Sequence, residues 1–295
     1  MRIKSRNKRK QIFVRMAGGL GNQLFQFCAA INLATIHKIP LSNIKLYQGF
    51  LSSYSTRREF NIGFITNLFS GIEKNPKIPK LVFLIMKFRI AKLLDFRFGS
   101  INMISSDSHM RTACSIRNSA SVFILDGYFQ HPDFLFTDDF RKQIRTELLN
   151  SRQQLIEKVT NGRPSIGIHI RRGDLVGSKL YELLSFDYYL EAIKMLPIEH
   201  NILVFSDDPK ESALLTSKLN SAVNIQSLNL PIEDEFCLFM SCNHHVIANS
   251  TFSWWGSYLG YKPLSRVISP NKWYTNNLQN QENPLQLSYF EVVDN

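Results

Sequence analysis

Two adjacent arginines, Arg171 and Arg172, follow an apolar segment, residues 165–170, that is typical of a buried β-strand. A guanidinium is charged at neutral pH and is costly to bury without a partner. Its planar N–H donors match phosphate oxygens two at a time, so a diphosphate is a suitable anion. The pair therefore predicts a site for a nucleotide-sugar or another phosphorylated ligand. An internal ion network with Asp174 or Asp207 is the alternative that stays open.

The elements that must position this pair alternate regularly in the second half of the chain. Predicted strands cover 165–170, 201–205, 223–226, 245–248 and 266–269, and predicted helices cover 186–195, 209–219, 234–241 and 253–259. This alternation indicates an α/β fold with a parallel sheet and right-handed crossovers. Ligands bind at the carboxyl ends of strands in such sheets. We therefore expect one binding edge formed by His169, Arg171, Arg172, Asp174, Ser206, Asp207, Asp208, Asn249, Ser250, Thr251, Phe252 and Ser253.

Two of these groups have a structural interpretation beside the ligand-binding one. Residues 249–253 open a predicted helix whose first N–H groups favour an anion, and capping by Ser250 or Thr251 is compatible with phosphate binding. Asp207 and Asp208 are candidates for a metal ligand, a nucleotide contact or a cap of the next helix. We expect no metal, since no third ligand is apparent and the arginines already supply positive charge.

Two histidines are weaker candidates. His169 lies in the strand that leads to the arginines, and His244 begins the pair His244-His245. His169 is either a hydrogen-bonded core residue or part of the ligand-binding edge. His244 and His245 are core residues or contacts to the base or ribose of a nucleotide.

A glycine-rich loop, residues 18–23, joins a predicted strand to a predicted helix near the start of the chain. Gly19 and Gly21 begin the fingerprint of a dinucleotide-binding turn, but Leu24 takes the place of the third glycine. No acidic residue follows about 20 positions later, so NAD binding is not expected. The loop still lets backbone amides and the side chain of Asn22 approach a ligand across a cleft between domains.

Length and charge bound the organisation of the chain. Its 295 residues suffice for two domains, and a turn signal at residues 161–164 predicts domains 1–160 and 161–295. The net charge of +11 indicates an anionic partner such as a nucleotide, a nucleic acid or a membrane surface. Six of the first ten residues are basic, so part of this charge belongs to an N-terminal tail, residues 1–10.

Lysines and arginines interleave with apolar residues from 79 to 98. This basic amphipathic pattern predicts a surface helix, and contact with an anionic membrane stays open as an alternative. No transmembrane segment or signal peptide is evident, so we expect a cytoplasmic protein, with the inner face of the bacterial inner membrane as the peripheral alternative. The four cysteines lack metal-ligand spacing and are expected to be core thiols.

Several motifs closely resemble glycosyltransferase family 11, the α-1,2-fucosyltransferases, in its bacterial form. The H-x-R-R-x-D motif of that family stands intact at residues 169–174. The other matching stretches are residues 18–26, 126–130, 205–208, 248–256 and 270–274. They run from the first predicted strand almost to the C-terminus, and the block that contains Trp254 and Trp255 is highly specific.

The resemblance implies a GT-B-type fold, in which two Rossmann-like domains with parallel sheets face a cleft. It implies GDP-β-L-fucose as donor, no required metal or cofactor, and inversion to an α-fucoside. Arg171 would hold the β-phosphate with support from Arg172, and Asn22 would face donor and acceptor from the other domain. Residues 250–252 would line the phosphate pocket. His244 stands where more distant relatives carry a guanine-reading aspartate.

The expected activity is that of a galactoside 2-α-L-fucosyltransferase. The expected acceptor is a β-galactoside or an N-acetylgalactosamine-containing glycan of a bacterial surface polysaccharide or lipid-linked intermediate. Asp174 is the nearest carboxylate for a general base and is equally suited to orienting the arginines. A transferase of another GDP-sugar is the main alternative. A basic nucleic-acid-binding protein is a second one, which we do not expect because no nucleic-acid-binding motif is visible.

Overall fold

The computed structural model describes residues 10–53, 58–90, 97–98, 101–105, 120–197, 199–219, 222–281 and 283–295. The chain forms two compact units, Met1–Thr137 and Asp138–Asn295. This division comes earlier than the boundary expected at 160/161, because the helical residues 138–160 pack against helices of the second unit. Most of the predicted basic tail, residues 1–9, and Cys114 lie outside the described residues.

The first unit contains a six-stranded sheet in the order β3-β2-β1-β6-β5-β4. Its strands are β1 (Gln11–Arg15), β2 (Ile44–Tyr47), β3 (Glu73–Lys74), β4 (Arg97–Phe98), β5 (Ile101–Ser105) and β6 (Val122–Asp126). The helices among its described residues are α1 (Leu20–Ile36), α2 (Gly63–Thr66) and α3 (Lys80–Lys87). All pairs are parallel except β4 with β5, which is antiparallel. The expectation of parallel sheets is therefore confirmed, with one antiparallel pair at the edge of this sheet.

The second unit contains a parallel six-stranded sheet in the order β12-β11-β10-β7-β8-β9. Its strands are β7 (Ser165–Ile170), β8 (Asn201–Ser206), β9 (Ala222–Asn224), β10 (His244–Val246), β11 (Val267–Pro270) and β12 (Phe290–Val293). Its helices are α4 (Asp138–Ser151), α5 (Gln153–Thr160), α6 (Phe186–Lys194), α7 (Pro209–Lys218), α8 (Ile232–Ser241), α9 (Thr251–Gly260) and α10 (Asn277–Gln281). This is the doubly wound Rossmann order. From β7 the strands are added toward one side of the sheet, and from β10 they are added toward the other side.

The predicted alternation of strands and helices is confirmed in this unit. The strand predicted at 165–170 coincides with β7, all six residues of which are buried. Helices α4 and α5 are separated at Arg152, whose backbone leaves the helical conformation. Strand β12 was not predicted.

Helices α8 and α9 run side by side in the same direction. The rings of Phe236 and Phe252, near the start of each helix, lie 5.5 Å apart. Further along, a Cβ on Gly256 would lie 2.5 Å from the ring of Phe239, and one on Gly260 would overlap the carbonyl oxygen of Met240. Glycine is therefore required where the two backbones approach most closely, and the two helices begin at the same edge of the sheet.

The basic segment of the first unit contains a surface helix, as predicted. Val82, Ile85 and Met86 of α3 are buried in a cluster with Phe13 and Ile124 of the sheet, whereas the lysines at the two ends of the helix are exposed. Within the described ranges, no helix is both long and apolar enough to cross a membrane. Residues 91–96 of the segment lie outside these ranges.

Three cysteines, Cys28, Cys237 and Cys242, are buried free thiols, as predicted. Burial raises the pKa of each thiol, to about 12 for Cys237 and Cys242. These side chains therefore behave as small apolar core residues.

The close α8–α9 contact predicts that even an added methyl group at Gly260 lowers the stability of the fold. Gly260→Ala is expected to destabilise the chain by about 1–3 kcal/mol, because the added methyl overlaps the Met240 carbonyl and outweighs the helix propensity of alanine. Urea unfolding measures this change. Gly63→Ala is the control, since its Cβ meets only the ring of Phe60 at 4.0 Å. Equal stability of the two variants would contradict the close helix contact.

Candidate active site

Arg171 and Asp207 connect the carboxyl ends of β7 and β8. The guanidinium of Arg171 donates to carboxylate oxygens of both Asp207 and Asp174. The backbone N–H of Arg172 donates to the other oxygen of Asp207 at 2.8 Å. The internal ion network left open by the sequence is therefore present, and it holds Arg171 at the sheet edge where a ligand is expected.

The side chain of Arg172 is committed to the protein. Its Nη1 donates to the carbonyl of Leu184 at 2.8 Å, and its Nη2 donates to Glu211 at 3.2 Å. The exposed fraction of the Arg172 side chain is 12%, against 23% for Arg171. Arg171 is thus the more accessible of the two cations, and Arg172 ties the loop after β7 to helix α7.

Asp208 and Ser206 make local structural bonds. Asp208 accepts hydrogen bonds from the N–H groups of Lys210 and Glu211 at 2.9 and 3.2 Å, so it caps α7. The hydroxyl of Ser206 accepts the Asp208 N–H at 2.9 Å. Of the three interpretations of this acidic pair, capping is confirmed for Asp208, while Asp207 belongs to the arginine network.

The N-terminus of α9 lies beyond the carboxyl end of β10, the neighbour of β7. Ser250 occupies the N-cap position, but its side chain makes no capping hydrogen bond, so the expected cap is absent. The buried Ser253 hydroxyl donates to the carbonyls of Ser250 and Ala248. The N–H groups of a first helical turn have no intrahelical acceptor. With Thr251 and Phe252 half-buried at the start of the helix, this terminus can receive an anion.

Asn249 joins two loops. Its Nδ2 donates to the carbonyls of Glu182 at 2.6 Å and Trp273 at 3.0 Å, in the loops that follow β7 and β11. The Oδ1 atom of Asn249 is buried without a hydrogen-bond partner. Sequence reasoning grouped Asn249 with the phosphate contacts and missed this link. The sequence signal for this link is that residues 270–274 resemble a motif of the family, but that resemblance assigned these residues no role.

His169 lies beneath the start of α9. Its ring stacks on Phe252 with centroids 5.1 Å apart and meets Phe239 edge to face at 6.1 Å. Burial and the nearby charge of Arg171 lower the pKa of His169 to about 3. The imidazole is therefore neutral at physiological pH, and its buried Nδ1 has no hydrogen-bond partner.

His244 does not belong to this group. It pairs in register with Ile166 near the amino end of β7, roughly 15 Å along the strand from Arg171. Its Nδ1 accepts the N–H of Arg266 at 3.1 Å, and its ring packs against His200. The prediction of a nucleotide contact at His244 is corrected by the strand register, which places it at the opposite edge of the sheet.

Sequence reasoning missed Glu235, in the first turn of α8. The side chain is half-buried, and burial raises the pKa of its carboxyl to about 7. The neighbouring Asp234 instead pairs with Arg152 at 3.1 Å. In the sequence, three consecutive acidic residues at a helix N-terminus are explained by their favourable interaction with the helix dipole. The partial burial of Glu235 follows only from the packing of α8 and has no signal in the sequence.

The glycine loop of the first unit is arranged around Asn22. Gly18 has a φ of +75°, and a Cβ there would lie 2.6 Å from Nδ2 of Asn22. Gly19 is the N-cap residue of α1, and a Cβ there would face open space. Oδ1 of Asn22 accepts from Nε2 of Gln130 at 2.7 Å. The close approach occurs at Gly18 rather than at Gly19, and Gln130 fixes the orientation of the Asn22 amide.

Two buried groups hold this loop against the sheet. Gln26 accepts from the N–H of Ala17 at 3.0 Å and donates to the carbonyl of Gly127 at 2.9 Å. The buried Asp126 lies 3.7 Å from Arg15 and 3.3 Å from Arg89. The two motifs of the first unit, residues 18–26 and 126–130, are thus parts of one contact.

Two Rossmann-like α/β units, the second carrying a basic sheet edge beside a helix N-terminus, define a glycosyltransferase of the GT-B class. The model of the family described as glycosyl transferase family 11 matches residues 11–287, and the chain belongs to that family.

Two curated relatives come from Escherichia coli. One is the O-antigen biosynthesis glycosyltransferase WbnK, which is 28% identical over 89% of this chain and 94% of its own length. The other is an alpha-1,2-colitosyltransferase, 28% identical over 92% of this chain and 96% of its own length. Among solved structures, the E. coli ADP-heptose LPS heptosyltransferase II has the same fold, with a TM-score of 0.52 and 11% identity over 96% of this chain and 90% of that one.

The raised pKa of Glu235 predicts a pH-dependent cost in stability. A carboxyl whose pKa is higher in the folded than in the unfolded state favours folding at low pH, and this contribution is lost as the pH rises from about 4.5 through about 7. Glu235→Gln should therefore raise the free energy of unfolding by about 1–2 kcal/mol at pH 8, a figure reduced for partial exposure, and have little effect at pH 4.5.

Thermal unfolding at the two pH values measures this difference. Glu233→Gln, in the same turn, controls for loss of charge at the helix N-terminus. A stabilisation by Glu235→Gln that is equal at both pH values would contradict the assigned burial of the carboxyl.

Proposed function

We propose that this chain transfers L-fucose from GDP-β-L-fucose to the 2-hydroxyl of a galactose-type residue, with inversion at the anomeric carbon. The proposal rests above all on Arg171, held at the carboxyl end of β7 beside the uncapped N-terminus of α9. In doubly wound sheets, ligands bind where the strand order reverses, which in this unit lies between β7 and β10. The family 11 motifs supply the expectation of a GDP-sugar.

The charged side chains at this edge of the sheet are suited to stabilising a diphosphate leaving group. When the bond between fucose and the β-phosphate breaks, negative charge builds on the leaving GDP, and preorganised cations stabilise it most in the transition state. Asp174 and Asp207 hold Arg171 in place before substrate arrives, which limits the reorganisation required. One carboxylate oxygen of Asp174 accepts a hydrogen bond from Arg171, and we propose that Asp174 orients the Arg171 side chain. Inversion proceeds by a single displacement and needs no covalent nucleophile.

The acceptor that we propose is a galactose-type residue of a bacterial O-antigen glycan or its lipid-linked precursor. This follows the name of the first relative, an O-antigen biosynthesis glycosyltransferase. Transfer of colitose in place of fucose is the second candidate, favoured by the name of the other relative. The two candidates share the site and differ in the sugar of the donor.

Substitution of Arg171 is predicted to lower kcat far more than it changes folding. Arg171→Ala should reduce kcat about 10²–10³-fold, the range typical for removal of one group that stabilises transition-state charge. Arg171→Lys should recover only part of this loss, because an ammonium cannot bind two phosphate oxygens in parallel. Steady-state kinetics with GDP-fucose measures the effect. Arg163→Ala, at an exposed turn, is the control, and near-native turnover of Arg171→Ala would rule out the assignment.

A donor and acceptor panel tests the reaction itself. Incubation of GDP-fucose, GDP-colitose and GDP-mannose with β-galactosides, followed by mass spectrometry and NMR of the products, should give an α-1,2-fucoside. Activity should persist in EDTA, since Arg171 supplies the positive charge at the diphosphate. A product from GDP-colitose alone would favour the second candidate, and product from none of the GDP-sugars would reject both.

A further inference from the structure

Helix α3 of the first unit has one buried face and one exposed apolar face. Val82, Ile85 and Met86 pack against the sheet. On the opposite face, the side chains of Leu81 and Phe88 are 49% and 61% exposed. Residues seven positions apart lie on the same side of a helix, so these two side chains are aligned along it. Exposed apolar side chains that share one face and are flanked by charges indicate an interaction surface.

Two lysines lie on the same exposed face. Lys80 begins α3 and Lys87 ends it, and both side chains are exposed. The ammonium group of Lys87 lies 5.7 Å from the centre of the Phe88 ring. Among the residues that the structure describes, no carboxylate pairs with either lysine. A helix with cations and apolar side chains on its outward face is suited to the boundary between an anionic lipid surface and water.

The chain around α3 carries charge of one sign only. From Lys74 to Leu94 the sequence contains six basic residues and no acidic residue. Lys77, just before the helix, is exposed like the lysines of α3. Arg89, just after it, is bound to Asp126 at 3.3 Å and so belongs to the fold. The exposed cations therefore complement a negatively charged surface, as the phosphates of anionic lipids provide.

The exposed face of α3 ends at the carboxyl edge of the first sheet. Arg89 directly follows Phe88 and has a φ of +51°, a strained backbone conformation for a residue with a side chain. Its guanidinium donates to the buried Asp126, the last residue of β6. Strand β1 pairs in parallel with β6 and leads directly into the loop that carries Asn22. A membrane bound by α3 would therefore adjoin the edge from which that loop extends.

The size of this face favours a lipid surface over a folded protein as its partner. Helix α3 has eight residues, which corresponds to a length of about 12 Å and a width of about 10 Å. A stable protein–protein interface covers about 800 Å² on each partner, several times more than this face offers. Reversible contact with a bilayer requires only a few inserted apolar side chains and nearby cations.

We propose that the outward face of α3, formed by Lys80, Leu81, Leu84, Lys87 and Phe88, binds the surface of a bilayer that contains anionic phospholipids. The apolar side chains enter the boundary between headgroups and acyl chains, and the ammonium groups stay at the level of the phosphates. The buried face of α3 remains on the sheet, so binding requires no unfolding. The inference goes beyond the proposed reaction and does not depend on which sugar is transferred. It would hold the enzyme at the surface where a lipid-linked acceptor is found.

Flotation of the full chain with vesicles tests the contribution of charge. The native chain should bind vesicles of phosphatidylglycerol and phosphatidylethanolamine at least about 10-fold more tightly than phosphatidylcholine vesicles, and salt should weaken the binding. The double variant Lys80→Gln/Lys87→Gln should bind about 25-fold more weakly, from about fivefold for each lysine near an anionic surface. The double variant Lys142→Gln/Lys158→Gln removes the same charge from exposed positions of the second unit and should bind like the native chain.

The apolar contribution is tested by a separate substitution in the same flotation assay. Phe88→Ser should weaken binding to the anionic vesicles about 10-fold, because the inserted ring loses its burial. Leu264→Ser, at a side chain of the second unit that is 90% exposed, is the matched control and should have no effect. All of these substitutions are at exposed side chains, and an unchanged thermal unfolding temperature shows that each variant is folded.

Several results would overturn the inference. They are absence of native binding to the anionic vesicles, equal native binding to neutral and anionic vesicles, and native affinity in both Lys80→Gln/Lys87→Gln and Phe88→Ser. A dimer in light scattering that Phe88→Ser abolishes would assign the face to a second copy of the chain and overturn it as well. Transfer to a soluble β-galactoside should be equal in the native chain and these variants. Absence of that product from the native chain would reject the proposed reaction and leave the vesicle result standing.

Discussion

The carboxylate of Asp207 joins the ends of two neighbouring strands, and the arrangement of the candidate active site depends on it. One oxygen accepts the backbone N–H of Arg172, and the other pairs with the guanidinium of Arg171. Strands β7 and β8 pair in register up to Ile170 and Ser206, so the residues that follow are necessarily adjacent. The bond fixes an accessible cation where a diphosphate would need it. A diphosphate that enters must compete with two carboxylates for that guanidinium.

Close packing of α8 and α9 determines the other wall of the site. Because Gly256 and Gly260 have no side chain, the backbone of α9 approaches Phe239 and Met240 of α8 closely. Parallel helices in close contact bring their N-termini to one edge, and with them the partial positive charge of each terminus. Glu235 sits in this positive region and still has a raised pKa, so desolvation outweighs the helix dipole at that position. The site thus combines a helix N-terminus that has no side-chain cap with an arginine that two carboxylates hold in place.

Many polar residues of the motifs bind backbone groups of the protein rather than face solvent. Asn249 links two loops, Asp208 caps a helix, and Gln26 joins two segments of the first unit. Long loops at the end of a sheet leave many backbone groups without sheet partners, and side-chain amides and carboxylates satisfy them. Of the two arginines at the end of β7, Arg171 has the more accessible side chain.

The sequence by itself determined the alternation of strands and helices in the second unit and the boundaries of β7, because alternating apolar segments and polar loops follow from local periodicity. It also placed Arg171 at a sheet edge, since a strand must end where charged residues begin. Strand register and helix direction come from contacts distant in sequence, and only the tertiary structure decided them. Strand register places His244 at the opposite edge of the sheet, and the packing of α8 half-buries Glu235. Packing of α4 and α5 onto α8 and α9 moved the division of the chain to Thr137.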